Sequence, residues 1–112
     1  MIKAAIIGFA HMHVNEVALY ISEQPDTELV AIADAPTGVE QIPALRYTPL
    51  WNKKNVCDNY CKNCYESYTD MLDAEKPDIV YILTENCKKP EVVEACAKRN
   101  IDVCIEKPIA VS

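Results

Sequence analysis

The sequence has very little glycine, since Gly8 and Gly38 are its two glycines in 112 residues. Any loop that depends on glycine must therefore lie at one of these positions. Long apolar runs are also missing, because runs such as residues 4–7 and 79–83 do not exceed five residues, far below the ~20 that a membrane helix needs. Residues 1–3 lead into a strand-like run without the layout of a signal peptide. We therefore expect a soluble, cytoplasmic protein that does not bind a membrane.

Basic side chains are scarce as well. Eleven Lys and Arg stand against 17 Asp and Glu, which gives a net charge of −6. No window is dense in Lys or Arg, so the chain offers no surface that would follow a phosphate backbone, and we expect no nucleic-acid partner. Half of the residues are apolar, which is enough for a core without metal or disulfides. We expect residues 1–112 to form one domain.

Cysteine, by contrast, is abundant, with six residues, three of them spaced as Cys57-x-x-x-Cys61-x-x-Cys64. Radical S-adenosylmethionine enzymes use this spacing for a four-iron cluster, and zinc or iron held with a fourth ligand is a second alternative. The cluster motif, however, belongs near the start of a long β/α barrel, and few residues follow Cys64. We therefore predict no metal and no disulfides, with these thiols on the buried face of a helix.

Strand and helix patterns alternate along the chain. Apolar runs predict strands at residues 2–7, 28–33, 78–84 and 101–105, and apolar stripes predict helices at residues 12–23, 67–74 and 89–99. The stretch 35–63 is polar and interrupted by prolines, apart from a helical face that includes Val56 and Cys61. This alternation predicts an α/β fold, a doubly wound parallel sheet of Rossmann type in three α/β/α layers. Its ligand crevice would lie at the carboxyl ends of the strands.

The loop after the first strand reads Gly8-Phe9-Ala10-His11-Met12-His13. It keeps the first glycine of the dinucleotide fingerprint G-x-G-x-x-G, with Ala10 and His13 at the other two glycine positions. Gly8 permits the tight turn, Ala10 is small enough for the backbone to approach a pyrophosphate, and the following helix offers unpaired N–H groups. We predict that Gly8, Phe9, Ala10, His11 and His13 bind a dinucleotide. The alternative for Gly8 is an ordinary strand-to-helix turn.

Asp34 ends the second strand, 26 residues after Gly8. A carboxylate at this point accepts hydrogen bonds from the adenosine ribose and repels a 2′-phosphate. Asp34 therefore favours NAD over NADP as the cofactor. The alternative is a solvated loop carboxylate or a helix cap.

Three later stretches, beginning at Tyr68, Asp78 and Val103, resemble in order and spacing the amino-terminal domain of the Gfo/Idh/MocA oxidoreductases. The most specific piece is Glu106-Lys107-Pro108, directly after the last predicted strand. The resemblance implies that Lys107 is catalytic and reaches the reacting hydroxyl, while Glu106 and Pro108 shape the nicotinamide side. It also implies that Thr84, Glu85 and Asn86 match the Thr-Pro-Asn loop beside the nicotinamide ribose, with Glu85 in place of proline. From the residues alone, Lys107 can also be a surface lysine before a turn.

The resemblance also implies an activity, namely hydride transfer between a nicotinamide dinucleotide and a secondary alcohol of a sugar or polyol. Family members continue into a second domain that supplies substrate contacts and an oligomer interface. We therefore expect a homo-oligomer, and we expect the 112-residue chain alone to be inactive. The alternative is a non-catalytic, dinucleotide-sensing module of the same fold.

Overall fold

The computed structural model describes residues 2–9, 14–33, 49–84 and 89–105. Strands and helices alternate along these ranges in the order β1 (Ile2–Ile7), α1 (Val14–Glu23), β2 (Thr27–Ala33), α2 (Pro49–Asn59), β3 (Cys64–Tyr65), α3 (Tyr68–Glu75), β4 (Ile79–Ile82), α4 (Lys89–Ala97) and β5 (Asp102–Ile105). None of these helices is both long and apolar enough to cross a bilayer.

The strands form one sheet in the order β3-β2-β1-β4-β5, and every pair in it is parallel. Helices α1 and α2 cover one face and helices α3 and α4 cover the other. This arrangement confirms the predicted three-layer, doubly wound fold. The direction of strand addition reverses at β1, because β2 lies on one side of it and β4 on the other.

Strand β1 is buried on both of its faces, as its continuous apolar run predicts. Ala4 and Ile6 pack under α1 and α2, while Ala5 and Ile7 pack under α3 and α4. All four side chains are fully buried. The central strand therefore joins the two halves of the core.

The helix predictions are confirmed in their main features. Helix α1 buries Val14, Ala18 and Ile21 and stops before Pro25, while its predicted start at Met12 lies outside the described residues. The sequence offers Ser67 or Thr69 as the N-cap of α3, and Ser67 is the one that accepts the N–H of Asp70, at 3.4 Å. It also predicts a left-handed Asn100 at the end of α4, and Asn100 has a φ of 57°.

The apolar stripe of the helix predicted at residues 89–99 places Val92, Val93, Cys96 and Ala97 on its inward face, and for Ala97 this prediction is wrong. Val92 and Cys96 are buried and Val93 is half-buried, but Ala97 is exposed. Ala97 is the last residue of the helix. It lies about 100° around the axis from Cys96, and this rotation carries it away from the sheet.

The predicted helical face from Val56 to Cys64 is also wrong at its end. Helix α2 ends at Asn59, where the N–H groups of Tyr60 and Cys61 both donate to the carbonyl of Val56, at 2.9 and 3.0 Å. The chain then turns, and Cys64 pairs with Ile32 as the first residue of β3. Because strand pairing replaces the helix there, Cys64 is exposed rather than packed.

Candidate dinucleotide site

The loops that follow β1, β2 and β4 begin side by side at one edge of the sheet. The N–H of Gly8 donates to the carbonyl of Ala33 at 2.8 Å, and the N–H of Leu83 donates to the carbonyl of Ile7 at the same distance. This edge is the carboxyl end of the parallel strands, at the point where the strand order reverses. Open α/β sheets bind their ligands there.

Gly8 and Thr84, two of the predicted site residues, are in direct contact. A Cβ atom on Gly8 would lie 2.6 Å from the backbone nitrogen of Thr84 and 2.7 Å from its Cα. Gly8 also has a φ of +94°, which side chains rarely tolerate. Glycine is thus required at this position for two reasons. The loop after β4 packs against it and leaves no room for a side chain, and the turn after β1 needs a positive φ.

Thr84 carries a buried hydroxyl that lacks a hydrogen-bond partner among the described residues. The residue is 4% exposed. Buried hydroxyls in proteins are normally satisfied, and where no protein group does so, an ordered water or a ligand atom is the usual explanation. A polar molecule bound beside Gly8 therefore fits the chemistry of this edge.

Phe9 has a different role from the one that its position in the loop suggests. Its side chain is 1% exposed and belongs to the core beneath α1 and α2. Its carbonyl accepts a hydrogen bond of 2.9 Å from Nδ2 of Asn52, a fully buried side chain of α2. The contact of Phe9 with a cofactor stays a prediction, and neither its side chain nor its carbonyl is placed to make it.

Sequence reasoning missed Asn52, because residues 35–63 read as a polar, irregular stretch. The signal present in the sequence is the spacing of Asn52, Asn55 and Asn59, which follows the turns of a helix. The partner of Asn52 lies 43 residues earlier in the chain. Nothing in the local pattern identifies so distant a contact.

The other predicted site residues lie outside the described residues: Ala10, His11, His13, Asp34, Glu85, Asn86, Glu106, Lys107 and Pro108. Several of them nevertheless come directly after residues that the structure describes. Asp34 directly follows Ala33, and Glu85 directly follows Thr84. Glu106 follows Ile105, which pairs with Ile82 of β4. The strands that lead into the predicted site residues are β1, β2, β4 and β5, and they follow one another in the sheet in the order β2-β1-β4-β5.

The cysteine cluster is divided between buried and exposed positions. Cys61 is buried, Cys57 is half-buried and Cys64 is exposed. Burial raises the pKa of the Cys61 thiol, which disfavours the thiolate that a metal requires. Within the described ranges, no three His, Cys, Asp or Glu side chains are placed to hold a metal ion. The prediction that these thiols pack in the core therefore holds for Cys61, which is buried. Cys87 lies outside the described residues.

A family model for oxidoreductases with an NAD-binding Rossmann fold matches residues 2–112, which is nearly the whole chain. The chain belongs to the Gfo/Idh/MocA oxidoreductase family. No curated protein sequence matches it. The resemblance carried by the Tyr68, Asp78 and Val103 stretches is thereby confirmed.

Solved structures of similar fold bind either nicotinamide dinucleotide. They include biliverdin reductase from Synechocystis sp. PCC 6803 with biliverdin and NADP+ (17% identity, TM-score 0.74). A 3-ketoreductase from Actinomadura kijaniata contains NADP and TDP-benzene (20% identity, TM-score 0.73). The myo-inositol dehydrogenase from Lactobacillus casei contains NAD(H) and myo-inositol (17% identity, TM-score 0.69).

These three alignments cover almost all of this chain but a small part of each relative. The shares of this chain are 99%, 97% and 98%, and the shares of the relatives are 31%, 30% and 29%, in the same order. The chain thus spans about 30% of the length of these structures. At these identities the likeness shows a common fold.

Proposed function

We propose that this chain is the cofactor domain of an NAD-dependent dehydrogenase that transfers a hydride between nicotinamide and a secondary alcohol carbon of a sugar or polyol. The observation that carries the proposal is the contact of Gly8 with Thr84 at the carboxyl edge of the sheet, where the strand order reverses. Family membership over residues 2–112 supports the same conclusion.

The order of the strands suits an extended dinucleotide. Asp34 follows β2, the phosphate loop follows β1, and Thr84 and Lys107 follow β4 and β5. Neighbouring strands lie about 4.8 Å apart, so β2 and β5 are separated by roughly 14 Å across the sheet. The adenosine ribose would lie at the β2 side and the nicotinamide at the β4 and β5 side, with the diphosphate over Gly8.

The residues then divide the work of the reaction. When bound, nicotinamide would accept a hydride from the carbinol carbon. Lys107 would act as the general base that takes the proton of the substrate hydroxyl as the C–H bond breaks, and it would return that proton in the reverse direction. The hydroxyl of Thr84 gains a polar partner at the nicotinamide side. Asp34 accepts hydrogen bonds from the two ribose hydroxyls.

Titration calorimetry with NAD and NADP tests the cofactor assignment. We expect the unaltered chain to bind NAD more tightly, because the carboxylate of Asp34 repels the 2′-phosphate. Asp34→Ala should narrow the difference. Asp26→Ala is a matched control, since Asp26 is an exposed carboxylate at the amino end of β2 and should leave the preference unchanged. Equal or tighter binding of NADP to the unaltered chain contradicts the role of Asp34.

Turnover by this chain is tested separately. We expect binding of NAD without formation of NADH from any of several polyols, because one lysine without a positioned substrate lacks the proximity that catalysis needs. Substrate-dependent NADH formation would show that these 112 residues suffice for catalysis. Binding of NAD by the unaltered chain, with no turnover by a longer form of the protein, would favour the sensing module. If a longer form is active and Lys107→Ala leaves its turnover unchanged, Lys107 is not the catalytic residue.

A further inference from the structure

Asn52 and Thr84 are the buried polar side chains of the described ranges. Asn52 is hydrogen-bonded to Phe9, and Thr84 lies against Gly8. Asn52 lies on α2 and is fully buried. An amide side chain in such a place must be hydrogen-bonded to offset its loss of water. Its partners therefore show what it holds in position.

Three asparagines form a chain of hydrogen bonds that ends on the loop. Nδ2 of Asn55 donates to Oδ1 of Asn15 at 2.6 Å, Nδ2 of Asn15 donates to Oδ1 of Asn52 at 3.0 Å, and Nδ2 of Asn52 donates to the carbonyl of Phe9 at 2.9 Å. We call these residues the asparagine chain. It joins α2, α1 and the loop after β1, three segments that meet beside the candidate site.

The direction of the chain is set by its last member. A backbone carbonyl can only accept, so Asn52 must present its NH2 group to Phe9 and its oxygen to Asn15. The same logic orients Asn15 between Asn52 and Asn55. The asparagine chain therefore fixes the orientation of each amide and delivers a donor to one atom, the carbonyl oxygen of Phe9.

The hydrogen bond from Asn52 determines which way the Phe9 carbonyl points. The carbonyl oxygen of Phe9 carries a partial negative charge, and it follows Gly8, over which the diphosphate would lie. A carbonyl turned toward an anion repels it, whereas N–H groups attract it. Held by a fully buried amide, the Phe9 carbonyl points into the protein and is directed away from the ligand.

We infer that Asn52 is a positioning residue for diphosphate binding, held in place by Asn15 and Asn55. The inference rests on the proposed function, because it presumes a dinucleotide over Gly8. Asn52 does not touch the ligand. It acts through the orientation of the Phe9 carbonyl, so its loss should weaken binding of the diphosphate and leave binding of the adenosine end unchanged.

The experiment compares ADP with adenosine as ligands of the 112-residue chain, by calorimetry, with thermal unfolding measured in parallel. The variants are Asn52→Leu, which is close in size and has no donor, and Asn52→Asp, whose ionised carboxylate cannot donate to the carbonyl. Val56→Ala is the matched control, because Val56 is a fully buried residue one turn further along α2, in the core cluster. It should destabilise the fold without altering the loop.

We expect both Asn52 variants to lose about tenfold in affinity for ADP, the effect of one lost hydrogen bond, with little change for adenosine. Val56→Ala should leave the ratio of the affinity for ADP to the affinity for adenosine unchanged. If Asn52→Leu or Asn52→Asp does not fold, Asn15→Ala and Asn55→Ala, at half-buried positions, should lower the same ratio by a smaller factor.

The outcomes separate this inference from the proposed function. An unchanged ratio in the Asn52 variants, with a lowered melting temperature as in Val56→Ala, would make Asn52 a purely structural residue and overturn the inference alone. Failure of the unaltered chain to bind NAD, NADP and ADP would overturn both the inference and the proposed function. A lowered ratio in the Asn52 variants, absent from Val56→Ala, supports the inference.

Discussion

The residues at the carboxyl edge of the sheet are constrained by contacts with residues that are distant in sequence, more than by their intrinsic backbone propensities. Gly8 has the backbone of Thr84 where a side chain would be, and the Phe9 carbonyl is held by Asn52. The identity of each residue is thus set by a neighbour that is distant in sequence. Substitutions here should have effects that local propensity does not predict.

Gly8→Ala should lower the free energy of unfolding by about 2 kcal/mol or more, because the added methyl meets the Thr84 backbone and φ is +94°. Urea denaturation measures the loss. A double-mutant cycle with Thr84→Gly identifies the cause. Since two of the three nearest atoms belong to the Thr84 backbone, the cost of Gly8→Ala should persist in the Thr84→Gly background. Full recovery there would assign the cost to the Thr84 side chain.

The cysteines should differ in reactivity according to their burial. Burial raises the pKa of Cys96 to about 11 and raises that of Cys61 as well, so both remain protonated and shielded at neutral pH. Cys64 and Cys104 are exposed. Brief treatment with iodoacetamide, followed by mass spectrometry of peptides, should label Cys64 and Cys104 well before Cys61 and Cys96. Equal labelling of Cys96 and Cys104 would contradict the buried position of Cys96.

At the scale of whole elements, two carboxylates of α3 form hydrogen bonds to neighbouring segments. Asp73 accepts two hydrogen bonds from the Arg99 guanidinium, at 2.7 and 3.3 Å. Glu75 accepts a hydrogen bond of 2.5 Å from the hydroxyl of Tyr65, in β3. The two carboxylates connect α3 to the segment after α4 and to the edge strand β3.

The stability of the fold should therefore depend on pH through α3. The Arg99 side chain lowers the pKa of Asp73 below its ordinary 3.8, and the Tyr65 hydroxyl lowers the pKa of Glu75 below its ordinary 4.5. A lowered native pKa stabilises the fold above the ordinary value, and this stability is lost as the pH falls through the native pKa. The melting temperature should thus fall as the pH drops below these ordinary values and through the lower native pKa values, where the native carboxylates take up protons.

The double variant Asp73→Asn, Glu75→Gln should show a shallower fall in melting temperature over the same pH range. Glu66→Gln is the control, because Glu66 is an exposed carboxylate just before α3. Its curve should be parallel to that of the unaltered chain. If the melting temperature of the double variant falls as steeply at low pH as that of the unaltered chain, other titratable groups determine the loss of stability in acid.

Elements whose pattern is local could be predicted from the sequence. The apolar run of β1, the Ser67 cap of α3 and the left-handed Asn100 all depend on neighbouring residues in the chain. Strand β3 could not be predicted, because its two residues have no pattern of their own and form a strand by pairing with Ile32 and Ala33. Helix α2 is polar along much of its length, and it is stabilised by its packing on α1. Gly8 and Thr84 were predicted as site residues, but their mutual contact was not.

At the scale of the whole molecule, one side of the described sheet is left without a partner. Strand β5 pairs with β4 on one side only, so its outer N–H and C=O groups have no strand beside them in the described ranges. Leu19 and Tyr20 of α1 are large apolar side chains that are about half exposed. The chain also spans about 30% of its structural relatives. Unpaired edges and exposed apolar groups both favour association.

We therefore expect the 112-residue chain to sediment as larger than a monomer at high concentration, by pairing of β5 with β5 of a second copy. Cys104 is exposed on this strand, so Cys104→Lys should shift the distribution toward monomer, because lysine on an edge strand opposes pairing. Ser22→Lys adds the same charge at an exposed position on α1 and should leave association intact. Cys104→Ser, studied with reductant present, should also remain associated, because the contact is made by the backbone and not by a disulfide. A monodisperse monomer in the unaltered chain, or an unchanged distribution in Cys104→Lys, would show that the β5 edge does not mediate association.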